Sequence, residues 1–148
     1  MPGYKIGELA RRTRTSAPTI RYYEQIGLLP CPERQDGNQR RYADEDVRRL
    51  TFVRRCREFG FGIDQVRMLT GLVADRSRSC MEARDIAQAH LLDVRAKLRE
   101  LRALEKSIAA FVTQCDAECI GGPGPDCVIL DDLSSGASAQ VGCCKAAA

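Results

Sequence analysis

Apolar residues recur at helical spacing in five stretches of this chain, and Pro, Gly, Asp or Thr mark the breaks between them. The first, Ile6 to Arg12, is short and amphipathic, with Ile6, Leu9 and Ala10 on one face; Thr13-Arg14-Thr15 ends it. Ser16 is a good N-cap, and Pro18 falls in the first turn, where its missing N–H costs nothing. A second helix through Thr19-Ile20-Arg21-Tyr22-Tyr23-Glu24 stops near Gly27. Two short helices with a tight link have the size of a helix-turn-helix. Leu28 to Tyr42 holds Pro30, Pro32 and Gly37, so it cannot be helical throughout. Its Asp36-Gly37 dipeptide suits a hairpin turn, which predicts a small two-stranded wing.

Asp44-Glu45-Asp46 opens a third helix with acidic residues where the helix dipole favours them. Val47, Leu50, Val53 and Cys56 line its predicted buried face, flanked by Phe52 and Phe59, and Gly60-Phe61-Gly62 ends it. Ile63, Val66, Leu69 and Leu72 mark a fourth helix; Asp75 to Ser79 reads as a linker. A long helix follows. Its residues Leu91, Val94, Leu98, Leu101, Glu105, Ile108 and Val112 alternate spacings of three and four, a heptad seam with one polar interruption, widened by Leu104 and Phe111. Nothing else in the chain is large enough to cover this face, which predicts a coiled coil. Gly121-Gly122-Pro123-Gly124-Pro125 must be a loop, and Val128-Ile129-Leu130 is either a short helical turn or an extended piece. The fold class is therefore all-α with a small β wing. The predicted divisions are a winged helix-turn-helix domain over 1–74, a linker over 75–79, a coiled-coil helix over 80–114, a Cys-containing loop over 115–133 and a Cys-containing tail over 134–148.

Charge sharpens the picture. Residues 1–78 carry sixteen Lys and Arg against ten Asp and Glu; residues 79–148 carry seven against ten. Basic charge at one end, mostly Arg, is the footprint of a nucleic-acid contact. No apolar run approaches the roughly 20 residues that cross a bilayer, and Met1-Pro2-Gly3-Tyr4-Lys5 lacks a signal-peptide core; a cytoplasmic location, away from membranes, is expected. Eight cysteines in such a chain read as ligands or redox groups rather than a disulfide framework. Cys80 and Cys115 lie at opposite ends of the long helix, which at ~1.5 Å per residue holds them roughly 50 Å apart. One chain cannot bring them to one ion, but two antiparallel chains can. With Cys119 and Cys127 nearby, the spacing suggests a metal site at a dimer interface. Cys31, beside two prolines, Cys56, on an apolar face, and the single His90 are expected to be structural or surface residues.

Three segments together resemble the MerR family of bacterial transcription regulators, over roughly residues 4–130. They are Thr19-Ile20-Arg21-Tyr22-Tyr23-Glu24-Gln25-Ile26-Gly27-Leu28-Leu29, Gly37-Asn38-Gln39-Arg40-Arg41-Tyr42 and Val53-Arg54-Arg55-Cys56-Arg57-Glu58-Phe59-Gly60-Phe61. Gln39 stands where a Tyr is common in that family. Ser16, Thr19, Arg21 and Tyr22 lie on the exposed side of a helix that fits a major groove, with Tyr23 the inward member of the tyrosine pair. Arg34, Arg40 and Arg41 of the wing would meet the flanking backbone. The resemblance implies a homodimer on a double-stranded DNA operator that distorts promoter DNA for RNA polymerase when an inducer binds, activating metal resistance or efflux genes. It also implies a site taking its first Cys from one protomer and the others from its partner, with Cys127 as the distal loop ligand. Cys80 points to a divalent ion, since the copper(I) branch usually carries Ser there.

The residues themselves leave the ligand set open. It is Cys80, Cys115 and Cys127, or Cys80, Cys119 and Cys127, or all four. Four thiolates suit Zn(II) or Cd(II); three suit Hg(II) or Pb(II). Cys143-Cys144 could add ligands or pass metal inward. The rival readings are a Cu(I), Ag(I) or Au(I) sensor, a redox sensor of the same family, and a metal-storage protein. A thiol oxidoreductase is disfavoured: the chain has no Cys-x-x-Cys, no catalytic His near a Cys and no phosphate loop. The chain is not expected to be an enzyme.

Overall fold

The computed structural model describes residues 3–32, 34–35 and 39–136. The described residues divide into two compact units, with the boundary between His90 and Leu91.

The first unit packs four helices around one apolar core and carries a small two-stranded wing. Helix α1 (Ile6–Thr13) is followed by a tight link in which Arg14 adopts φ 51°. Helix α2 (Ala17–Gln25) begins as its sequence predicts: the Ser16 side chain accepts from the Thr19 N–H at 3.2 Å, and Pro18 sits in the first turn. Ser16→Ala is expected to cost about 1 kcal/mol by freeing that N–H; the midpoint of a urea unfolding curve checks it. Helix α2 stops at Gly27, whose φ of 71° suits a residue without Cβ. Strands β1 (Arg34–Gln35) and β2 (Gln39–Arg40) pair antiparallel, Arg34 opposite Arg40. The hairpin-turn dipeptide predicted between them lies outside the described residues. Tyr42, just past β2, bridges back to Tyr4.

Helix α3 (Asp44–Glu58) opens with the Ala43 N–H donating to the Asp46 carboxylate at 2.7 Å. Helix α4 (Ile63–Ala74) repeats the device, the Gly62 N–H donating to Gln65 Oε1 at 2.9 Å. Leu9, Ile20, Tyr23, Leu28, Leu29, Leu50, Val53, Cys56 and Val66 form the shared core. Burial pushes the Cys56 thiol up and so keeps it protonated, as an inert core residue. Cys31, by contrast, is exposed rather than packed.

Helix α5 runs without interruption from Cys80 to Glu118. Its first turns belong to the first unit. There His90, read as a surface residue from sequence, is half-buried: its Nε2–H donates to the Phe59 carbonyl at 2.8 Å and its ring lies 4.5 Å from that of Phe61. Along the rest of α5, Leu91, Val94, Leu98, Leu101, Leu104, Ile108 and Val112 are all exposed. The second unit ends with a 3-10 turn (Gly124–Asp126) and helix α6 (Val128–Ser134), so the Val128-Ile129-Leu130 segment is helical rather than extended. Among the described residues no helix is long and apolar enough to cross a membrane.

Candidate metal centre and nucleic-acid interface

Helix α2 presents two unlike faces. Ile20, Tyr23 and Glu24 are buried, while Ser16, Arg21 and Tyr22 are exposed and Thr19 is half-buried. The exposed set is the one predicted to meet a groove. Ser16 and Thr19 are already engaged with each other, their hydroxyl oxygens 2.7 Å apart. Two of the wing arginines also have protein partners. Arg40 donates to Glu24 at 2.8 Å, and Arg41 donates to the Gly3 carbonyl at 2.9 Å. Each guanidinium has five N–H donors, so these bonds orient the side chains without exhausting them. Arg34 is placed in β1.

Sequence reasoning missed Glu24. Its side chain is 2% exposed, and the Tyr42 O–H donates to its second oxygen at 2.6 Å. The carboxylate thus joins helix α2 to the end of the wing strand. Burial, then the bond to Glu24, raises the Tyr42 pKa, so the phenol stays a donor at any physiological pH. The missed signal was position: Glu24 lies four residues after Ile20 and one after Tyr23, on the inward face.

The thiols converge in the second unit. Cys115, in the last turn of α5, and Cys119, the first residue past its end, are four positions apart, with their Sγ atoms at 3.6 Å. The chain turns back at Gly121 (φ 71°), and Cys127 becomes the residue before α6. The three Sγ atoms of Cys115, Cys119 and Cys127 lie within 4.8 Å of one another, all half-buried. Cys80, exposed as the first residue of α5, is not part of this cluster. Cys143 and Cys144 lie outside the described residues.

The environments of these thiols differ. The hydrogen bond with Cys119, followed by burial and the neighbouring thiols, pushes the Cys115 thiol up to about 11. Backbone N–H groups of Leu130 and Ile129 donate to the Cys127 sulfur and hold its pKa below the usual thiol value. Cys127 therefore loses its proton before Cys115. Thiolates at about 2.3 Å from a zinc-sized ion stand about 3.8–4.0 Å apart. The observed spacing fits such a donor set with small side-chain adjustments, and sulfur donors suit soft or borderline ions.

Residues 4–71 match the model of MerR HTH family regulatory proteins, and residues 47–111 match the model of the MerR DNA-binding region. The chain belongs to the MerR family. Like the rest of that family it is a DNA-binding transcription regulator and not an enzyme. It is 42% identical to the HTH-type transcriptional regulator HmrR of Rhizobium leguminosarum bv. viciae, over 89% of this chain and 98% of that one. It is 35% identical to heavy metal-dependent transcription regulator 2 of Rhizobium meliloti (strain 1021), over 92% and 89%. Its fold matches the crystal structure of the transcription regulator PbrR691 from Ralstonia metallidurans CH34 in complex with lead(II). That match has a TM-score of 0.77 and 37% identity, and it covers 88% of this chain and 98% of the other. As a MerR-family chain, it pairs a two-stranded wing and helix-turn-helix with a long helix whose apolar seam is exposed.

Proposed function

We propose that this chain is a metal-responsive transcriptional regulator. It works as a homodimer on promoter DNA and is induced by a thiophilic divalent ion of the Zn(II), Cd(II), Pb(II) and Hg(II) group. The carrying observation is the convergence of Cys115, Cys119 and Cys127 within 4.8 Å. The exposed seam of α5 supports the dimer: seven large apolar side chains on one helix are costly to leave in water. Pairing two such helices antiparallel brings Cys80 of the partner subunit toward the thiol cluster. Ser16, Thr19, Arg21 and Tyr22 meet the major groove, and Arg34, Arg40 and Arg41 the flanking phosphates. The inducer supplies a cation that gathers thiolates. The chain's own residues supply two dimer states that must differ in affinity for that ion, because only a difference shifts the equilibrium. Deforming the promoter draws on the order of 1–6 kcal/mol from that difference. Metal resistance or efflux genes are the expected targets.

The test is transcription in vitro from the chain's own promoter, with each ion added in turn and then removed by a chelator. A reversible rise with at least one of the four ions supports the proposal. DNA binding without any metal response sinks it, and no sequence-specific binding would favour a storage protein. One observation favours a redox reading, the 3.6 Å Cys115–Cys119 separation. Response to peroxide but not to metal would establish that alternative.

Protonation gives a second check. With the Cys115 thiol at about 11, an ion binding near neutral pH must displace its proton. Metal affinity should therefore rise with pH, by about tenfold per unit for each proton released. Chelator competition at two pH values, or proton release into a weakly buffered solution, measures it. An affinity flat in pH would argue that protonated thiols are not the ligands.

A further inference from the structure

We infer that His90 is the positioning residue through which the long helix steers the DNA-binding helices: its bond to the end of α3 makes the first turns of α5 and the first unit move as one body. The inference rests on the metal-responsive reading above and names the residue on the DNA side of that response.

The first turns of α5 lay one face on the unit they belong to. Ala83, Ile86 and His90 are half-buried at spacings of three and four, between exposed neighbours. Ala83 lines a cleft with Phe52 of α3 and Leu69 and Leu72 of α4. Such apolar contacts are non-directional, so by themselves they let one helix slide or turn on another. A hydrogen bond does not, because it weakens steeply once donor and acceptor lose alignment. Within residues 80–90 the other side-chain hydrogen bonds stay in the helix or reach Arg78 and Ser79 just before it. His90 is the residue of that stretch whose side chain bonds to α3.

The turn between α3 and α4 is shaped to receive it. A carbonyl oxygen only accepts, so the 2.8 Å contact with the Phe59 carbonyl fixes the ring proton on Nε2. Phe59 caps the end of α3, and Phe61 lays its ring 4.5 Å from the imidazole. Gly60, between them, has φ 82°, and a Cβ there would stand 3.4 Å from Nε2. A side chain at position 60 would therefore strain the turn and crowd the bond. Arg57 closes the turn by donating to the Phe61 carbonyl at 2.6 Å.

From this turn the connection continues to α2. Arg49, on α3, donates to the Leu28 carbonyl at 3.0 Å. Arg67, on α4, donates to the Ile26 carbonyl at 2.8 Å. Both bonds fall on the residues that end α2, so α3 and α4 hold that helix, with Arg21 and Tyr22 on its exposed face, from its C-terminal end. A displacement of α5 delivered at His90 is thus passed to α2 by directional bonds.

The experiment uses the full-length dimer on its own promoter, with whichever of Zn(II), Cd(II), Pb(II) and Hg(II) activates the unsubstituted protein most. His90→Phe keeps a ring against Phe61 and removes the donor; His90→Leu removes both; His90→Gln keeps an N–H donor at the reach of Nε2. Metal-dependent activation should fall about fivefold or more in His90→Phe and His90→Leu and stay within about twofold in His90→Gln. Promoter affinity by fluorescence anisotropy and ion affinity by chelator competition should stay within about threefold in all three. That split marks coupling, since a merely structural role would weaken binding together with activation. Full activation by either variant without a donor, or loss in His90→Gln as deep as theirs, would overturn the inference and leave the metal-responsive reading standing. So would a loss of promoter or ion affinity large enough to account for the lost activation. If none of the four ions activates the unsubstituted protein, that reading falls and the inference falls with it. Circular dichroism confirms that each variant keeps its helices.

Discussion

Glu24→Ala is expected to destabilise the DNA-binding unit by about 2–4 kcal/mol, a large effect for an acidic residue in a soluble helix. The Tyr42 side chain is fully buried, and its O–H has Glu24 as its acceptor at 2.6 Å. Removing the carboxylate leaves that donor buried and unpaired, which costs about 1–3 kcal/mol by itself. Lost packing and the lost Arg40 bond add the rest. The total stays below the roughly 3–5 kcal/mol of a wholly buried pair, because the Arg40 side chain is 36% exposed and can return to water. Glu24→Gln should cost about half as much, since its carbonyl still accepts from Tyr42. Tyr42→Phe removes the stranded donor, so Glu24→Ala combined with Tyr42→Phe should cost less than the two single losses added. Urea unfolding of the four proteins closes the cycle. A cost for Glu24→Ala of about 0.5 kcal/mol or less, the level of an ordinary surface change, would show that the carboxylate does not tie helix α2 to the wing.

Glu24 also marks where sequence reading stops. Local rules fixed α2 well: Ser16 caps it, Pro18 starts it, Tyr23 faces inward and Tyr22 outward. The heptad seam was legible for the same reason, because 3.5-residue spacing is a property of the string itself. Glu24 was not, because a glutamate on a short helix is ordinarily solvated, and its partners Arg40 and Tyr42 come from sixteen and eighteen residues away. His90 was misplaced for a similar reason, since its bond to the Phe59 carbonyl spans thirty-one residues. The thiols fall between these cases. Cys115 and Cys119 share a helical face by spacing alone, but Cys127 joins them only because Gly121 and Gly122 reverse the chain. Three subsets of cysteines were open on sequence. The structure brings Cys115, Cys119 and Cys127 together, and Cys80 is not part of that cluster; in the proposed dimer Cys80 acts, as the family resemblance implies, from the partner subunit.

Two hybrid dimers carrying the same two substitutions are expected to differ sharply in transcriptional output. In the first, one chain carries Cys80→Ser and the other carries Cys127→Ser. In the second, one chain carries both substitutions and the other none. Each hybrid keeps one intact Cys115–Cys119–Cys127 cluster. Helix α5 runs unbroken from Cys80 to Glu118, so in an antiparallel pair the cluster of one chain meets Cys80 of the partner subunit. The first hybrid then joins its intact cluster to a partner that still has Cys80. In the second, the intact cluster faces a partner with Ser at position 80. The first should retain about half or more of the metal-dependent activation of the unsubstituted dimer, and the second should stay near the basal level, because loading there no longer discriminates between the two dimer states. Differently tagged chains, purified as hybrids and assayed on the same promoter, give the comparison. Equal activation by the two would mean that Cys80 does not act across the dimer. Equal silence, with one ion bound to each, would mean that a single occupied site cannot switch the pair, and a dimer with both sites intact would then be the smallest responsive unit.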